Sequence, residues 1–141
     1  MPAIPPPPDR IADALLELRP LAEWDIPELL IAHQDDPELH RRLGAARPPT
    51  GAELGRQVEE EPTLRAAGAG VTLTIVEPGG HDCRGRVEVD GIDWASGSAR
   101  VRVWVIPQLR GRGYEQRAAD LAADWLRASV GLEPSDVQLF T

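Results

Sequence analysis

The spacing of apolar positions changes along the chain, and each change predicts an element. Leu15 to Arg19 reads as a first strand stopped by Pro20. Asp25-Ile26-Pro27-Glu28 then offers an Asp cap, an early proline and a Glu three residues on, predicting a helix to about His33. Asp36-Pro37-Glu38 opens a second short helix through Leu43, ended near Gly44. Thr50-Gly51-Ala52-Glu53 is a further capping box, leading a helix to about Leu64 on a thin apolar face of Leu54 and Val58. Gly68 to Gly70 closes this helical half.

A β-rich section follows. Val71 to Glu77 is rich in β-branched residues, Pro78 to Asp82 is a turn, and Arg84 to Val89 alternates and should pair with the strand before it. After a turn-rich link from Gly91 to Gly97, Ala99 to Val105 has period-2 alternation. Val101, Val103 and Val105 share one face; Arg100, Arg102 and Trp104 share the other. The period turns helical between Arg112 and Val130, where Ala118, Leu121, Ala122, Trp125 and Leu126 form one stripe. Gly131 is placed to end that helix, and Asp136 to Phe140 is a last strand. No internal repeat is visible.

With 141 residues the chain suits one domain, 11–141, behind a lead-in (1–10) that holds five prolines and is expected to be disordered. No apolar run approaches a membrane span, and no cationic segment precedes an apolar one as in a signal peptide. Cys83 is the single cysteine, so no disulfide forms within the chain, and a reducing cytoplasm is the expected setting. All 15 basic residues are arginine, which removes lysine-based Schiff-base and P-loop chemistry. Against a net charge of −8, Arg100, Arg102, Arg110, Arg112 and Arg117 crowd together with only Glu115 opposing them. One local basic strip on an acidic protein suits a small polyanion better than a nucleic-acid backbone, which needs a broad basic face.

The chemistry-bearing stretch is Val105-Ile106-Pro107-Gln108-Leu109-Arg110-Gly111-Arg112-Gly113. A strand, a glycine-rich basic turn and a helix start in succession make an anion site, because the first N–H groups of a helix lack partners and its dipole favours negative charge. Gly111 and Gly113 admit positive φ and close backbone approach, while Arg110 and Arg112 add charge suited to phosphate. The G-x-x-x-x-G-K-[ST] pattern of a Walker loop is absent.

Gln108 to Gly113 matches the Q/R-x-x-G-x-G/A signature of the GNAT superfamily of acyl-CoA-dependent N-acyltransferases, and Tyr114 supplies the bulky residue that usually follows. Leu16-Glu17-Leu18-Arg19-Pro20-Leu21, Gly85-Arg86-Val87, Gly91-Ile92-Asp93 and Trp104-Val105 resemble the branch containing ribosomal-protein N-terminal acetyltransferases. The resemblance runs from about Leu15 to the C-terminus. It implies an α+β, three-layer GNAT-like fold: a mixed, mostly antiparallel central sheet flanked by helices, here lacking the family's usual last helix and two strands.

The resemblance also implies a site. The donor would be an acyl-CoA, acetyl-CoA first, with its pyrophosphate on Gln108, Arg110, Gly111, Arg112, Gly113 and Tyr114. Its pantetheine arm would lie along the strand at Val103 and Val105, whose amides face the thioester oxygen. The acceptor would be a primary amine, either a small molecule or a protein N-terminus, and no metal is needed. Glu88 is the candidate general base, with Asp90 and Asp93 behind it; the competing reading is a solvent-facing strand residue. Tyr114 is either a packing residue or the acid that protonates the thiolate. Trp104 fills the core or lines the acceptor side of the cleft. His81-x-Cys83 could supply two sides of a metal site, but it lies in a turn without companions at metal-site spacing, so a plain loop is expected.

Three departures from the family pattern bear on activity: the absent C-terminal elements, Glu115 where the family has a small residue, and Arg100 and Arg102 where a strand acid often lies. They support an alternative, an inactive GNAT-fold module whose open last strand pairs with a second copy or a partner. A third reading is an unrelated nucleotide-phosphate binding module.

Overall fold

The computed structural model describes residues 2–140. Its centre is a six-stranded sheet in the order β1-β2-β3-β4-β5-β6, with strands at Ile11–Ala12, Glu17–Pro20, Val71–Val76, Gly85–Asp93, Ser98–Val105 and Glu133–Phe140. All neighbours are antiparallel except β5 and β6, which are parallel and joined across a helix. Helices α1 (Ile26–Asp35), α2 (Leu39–Arg42) and α3 (Gly51–Ala66) cover one face, and α4 (Tyr114–Trp125) covers the other.

The alternation in β5 builds these layers. Val101, Val103 and Val105 are each 0% exposed and pack with Leu18, Leu73 and Val87 against Ala118, Ala122 and Leu126 of the α4 segment. Trp104 points the other way, into a second core with Leu29, Ala32, Leu39 and Leu54 from α1, α2 and α3. Gly85 lets β4 lie close at this point: a Cβ there would stand 2.2 Å from the Trp104 carbonyl oxygen.

Several boundaries differ from expectation for identifiable reasons. The first strand is half of a small hairpin, because Asp13 Oδ1 accepts from the N–H groups of Leu15 (2.7 Å) and Leu16 (3.1 Å) and turns the chain between β1 and β2. Asp25 does not cap α1. Its carboxylate is 0% exposed and accepts from Arg19, Thr74 Oγ1 (2.8 Å) and the Ala22 N–H (3.0 Å), tying β2 to β3. The box at Thr50 forms as read, with Glu53 N–H donating to Thr50 Oγ1 (3.1 Å) and Thr50 N–H to Glu53 Oε1 (3.2 Å).

Helix α4 passes at Leu126 into a wider π turn through Val130, and Gly131 ends it at φ +82°. The last strand starts earlier than Asp136, and its register with β5 shifts beside Pro134, which has no N–H to give to the ladder. The lead-in expected to be disordered is anchored at Ile4, which is 2% exposed and donates its N–H to the Arg65 carbonyl (2.8 Å). Strand β6 forms one border of the sheet, with Val137 exposed on it. No helix among the described residues is long and apolar enough to cross a membrane.

Candidate functional site

The turn leaving β5 is a 3₁₀ segment, Pro107–Leu109, whose Leu109 drops into the core and fixes the loop to the sheet. Beyond it, Gly111 and Gly113 hold φ +74° and +83°, and no heavy atom lies within 4 Å of where a Cβ would stand on either. Gly113 is the N-cap of α4, whose first hydrogen bond runs from Arg117 N–H to the Gly113 carbonyl (3.1 Å). The N–H groups of Tyr114, Glu115 and Gln116 therefore have no partner within the helix. Gln108, Gly111, Arg112 and Gly113 are exposed around this end, and Tyr114 is half-buried against the core as a packing residue.

The basic strip is largely neutralised by partners that sequence proximity does not reveal. Arg100 donates to Asp90 (2.7 Å), Arg102 pairs with Asp90 (3.0 Å) and Glu88 (3.4 Å), and Arg117 with Asp13 (2.7 Å). Arg110 turns back onto the sheet, pairing with Asp36 at the end of α1 and donating through Nε to the Val105 carbonyl (3.3 Å). Of the five arginines, Arg112 alone has no ion pair among the described residues. Glu115 is buried rather than projecting from the loop, and its Oε1 has no hydrogen-bond partner among the described residues.

A pyrophosphate fits this loop, since the approachable glycine backbone, the unpaired N–H groups and Arg112 all lie on its exposed side. The strand positions divide. Val103 is flanked by β4 on one side and by Leu139 of β6 on the other, and pairing continues to Trp104 opposite Phe140. No edge at Val103 is open to a pantetheine arm, which corrects the expectation for that residue. Val105 lies one position beyond the described β5–β6 pairing.

Across the sheet, α1, α2, α3, the segment after α2 and strands β4 and β5 line a half-open cavity of about 230 Å³. Glu88 lines it, half-buried, with its carboxylate facing Arg86 (3.7 Å) and Arg102 (3.4 Å). Trp104 lines it too, edge-on to His33 with ring centroids 6.1 Å apart. Burial, together with the nearby Arg86 and His40, holds the His33 pKa below its ordinary 6.5. As lone histidines on predicted helices, His33 and His40 read as surface or helix-end residues; both are instead buried. Their convergence depends on how α1 and α2 cross the sheet. Asp90 is held to the anionic side: burial raises its pKa, and the Arg100 and Arg102 guanidiniums outweigh that and lower it. Asp93 accepts from the N–H groups of Ala95 (3.0 Å) and Ser96 (3.4 Å) in the β4–β5 turn. His81 is exposed while Cys83 is buried. A larger groove of about 400 Å³ borders Gln108 and α1, walled by Glu28, Asp35 and Glu77.

A sequence model of the acetyltransferase (GNAT) domain matches residues 16–138, and the chain belongs to that family. Solved structures share the fold at low identity. One is the Salmonella typhimurium acetyltransferase that modifies the N-terminal serine of the 50S ribosomal subunit protein L7/L12, with a TM-score of 0.72, 17% identity, and coverage of 85% of this chain and 70% of that one. Another is a ribosomal-protein-serine acetyltransferase from Vibrio cholerae, described as such only provisionally, at 0.72 and 15%, covering 90% and 71%. A ribosomal L7/L12 α-N-protein acetyltransferase in complex with coenzyme A aligns at 0.65 and 16%, covering 85% and 70%. No match was found among curated proteins.

Proposed function

We propose that the chain is an acyl-CoA-dependent N-acyltransferase, with acetyl-CoA the first donor to test and a primary amine as acceptor. The observation that carries this reading is the exposed Gly111–Gly113 turn at the start of α4, in a chain of the GNAT family. Backbone N–H groups from Tyr114 to Gln116 and the Arg112 guanidinium hold the pyrophosphate, and Gln108 borders it. Arg110 serves the loop's shape instead, through Asp36. When bound, the thioester supplies an acyl carbon open to attack by an amine.

The acceptor enters from the α1–α3 side, where the cavity reaches Trp104. An attacking amine must be unprotonated, which requires a proton acceptor beside it. His33 suits this role better than Glu88. It is neutral at pH 7, and its Nδ1 is buried without a partner, whereas the Glu88 carboxylate is engaged by two guanidiniums. Glu88 then positions Arg86 and Arg102.

Calorimetric titration with acetyl-CoA at low salt tests the reading on wild type, Gly111→Asp and Glu115→Ala. Micromolar binding by wild type, abolished in Gly111→Asp and kept in Glu115→Ala, is the expected result. Absence of binding by wild type at millimolar acetyl-CoA would overturn it.

A further inference from the structure

Among the described residues, Trp24 (63% exposed) and Ile31 (52%) are the two most exposed large apolar side chains. Trp24 stands in the 3₁₀ turn Glu23–Asp25 that runs directly into α1, and Ile31 follows seven positions on. Seven residues make about two helical turns, so both lie on one outer face, while Leu29 and Ala32 of the same helix turn into the core. An exposed tryptophan and a large aliphatic side chain on a common face are anchors for a protein contact.

This face borders open space rather than another element. Ile31 lines the half-open groove of about 400 Å³ beside α1, together with Ile106 and Gln108. Past Glu77 and Arg84 the surface continues over a smaller hollow at Gly80, His81 and Asp82. Trp24 is tied to that end, because the Arg19 guanidinium lies 5.5 Å from its ring centre and donates to the His81 carbonyl (2.8 Å). Trp24 does not itself line the groove, so an occupant that reaches both anchors must extend beyond it.

Charge selects the occupant. Glu28, Asp35, Glu77 and Asp82 line the two hollows against Arg84 alone, which pairs with Glu77 (3.0 Å) and Asp82 (3.6 Å). The adjoining Asp25–Arg19, Asp36–Arg110 and Glu17–Arg10 pairs each cancel. Counting Arg112 of the glycine turn still leaves carboxylates in excess, and the exposed Glu23 beside Trp24 adds another. Asp35 sits at the C-terminal end of α1, where the helix dipole already disfavours negative charge, and it has no ion pair among the described residues. A cationic partner relieves both, whereas nucleic acid and anionic lipid are repelled.

We propose that this face of α1 docks a basic, apolar segment of a partner polypeptide, with aliphatic side chains against Ile31 and Trp24 and cationic groups against Glu28 and Asp35. Docking here does not depend on acyl transfer, although the surface ends at Gln108 beside the proposed donor turn.

NMR titration of the whole, isotope-labelled protein tests the surface. The probe is an N-acetylated, C-amidated hexapeptide alternating leucine and arginine; the same peptide with glutamate for arginine, and spermine, are its controls. Ile31→Ser, Asp35→Asn and, on α3, Leu64→Ser each change a side chain at the surface, and circular dichroism confirms their folding. The leucine–arginine peptide should bind saturably at low salt and shift the Trp24 indole signal, identified by its loss in Trp24→Phe. Its affinity should fall about fivefold in Ile31→Ser and about threefold in Asp35→Asn, and stay unchanged in Leu64→Ser. No saturation, equal binding of the glutamate peptide, or unchanged affinity in both α1 variants would overturn the surface. Weakening in Leu64→Ser equal to that in Ile31→Ser would overturn its location. Spermine binding as tightly as the peptide would overturn the polypeptide class.

Discussion

Arg110 reaches from the glycine turn to Asp36, at the end of α1, so a residue of the proposed anion site is an internal strut. The pair joins segments 74 residues apart, with side chains only 21% and 11% exposed. Arg112, two positions on, is exposed and has no ion pair among the described residues. The two arginines therefore have separable roles. Arg112→Ala should weaken acetyl-CoA binding about tenfold with an unchanged melting temperature. Arg110→Ala should instead lower stability by about 1–2 kcal/mol, the range of a charge-assisted hydrogen bond at a partly buried site. Paired calorimetric titrations and thermal melts separate these outcomes; equal effects on binding would refute the division.

Asp25 is the other buried hub. Its Oδ1 lies 2.6 Å from Arg19 Nη2, and Asp25→Ala would leave that partly buried guanidinium without its counter-charge, held only by the Pro20 and His81 carbonyls, and Thr74 Oγ1 without this acceptor. Removal of one member of such a buried pair costs about 3–5 kcal/mol. Urea denaturation should show a loss of this order, whereas Thr74→Val, which removes one hydrogen bond and keeps the shape, should cost about 1 kcal/mol.

His33 makes stability depend on pH in a defined direction. Its folded pKa lies below the 6.5 of a free imidazole, so the unfolded chain takes up the proton first as pH falls. Its contribution is intact above about pH 6.5 and is lost as pH drops toward the folded value. Chemical denaturation at a series of pH values should therefore show a midpoint that declines below 6.5, with a smaller decline in His33→Gln. A flat profile in wild type would contradict this environment.

Cys83 should be chemically silent in the folded protein. Burial pushes its thiol up to about 12, with Asp25 and Glu28 adding to the effect, and it donates to the Gly85 carbonyl (3.6 Å). Iodoacetamide at pH 8 should label it at least about a hundredfold more slowly than in denaturant, because only the thiolate reacts. Comparable rates would mean that the α1–β4 packing opens readily.

Much of the fold was legible because it is encoded locally. The period-2 run of β5, the box at Thr50 and the stripe of α4 each need only neighbours in sequence, and each formed where the pattern placed it. The β1–β2 hairpin was not legible, since its strands are two and four residues long and its turn rests on one aspartate side chain. The glycine turn was also readable, because positive φ is a property of single residues.

Long-range pairing decided the rest. A row of five arginines looked like a basic strip, yet Asp13, Asp36, Glu88 and Asp90 reach four of them from 10 to 104 residues away. Two isolated histidines, a strand tryptophan and two strand arginines carried no common signal until the helices crossed the sheet. The sequence by itself determined the layers and the glycine turn, because periodicity and backbone freedom are local. Only the tertiary structure decided which charges are paired and which side chains share a cavity, because electrostatic balance is set by distance in space.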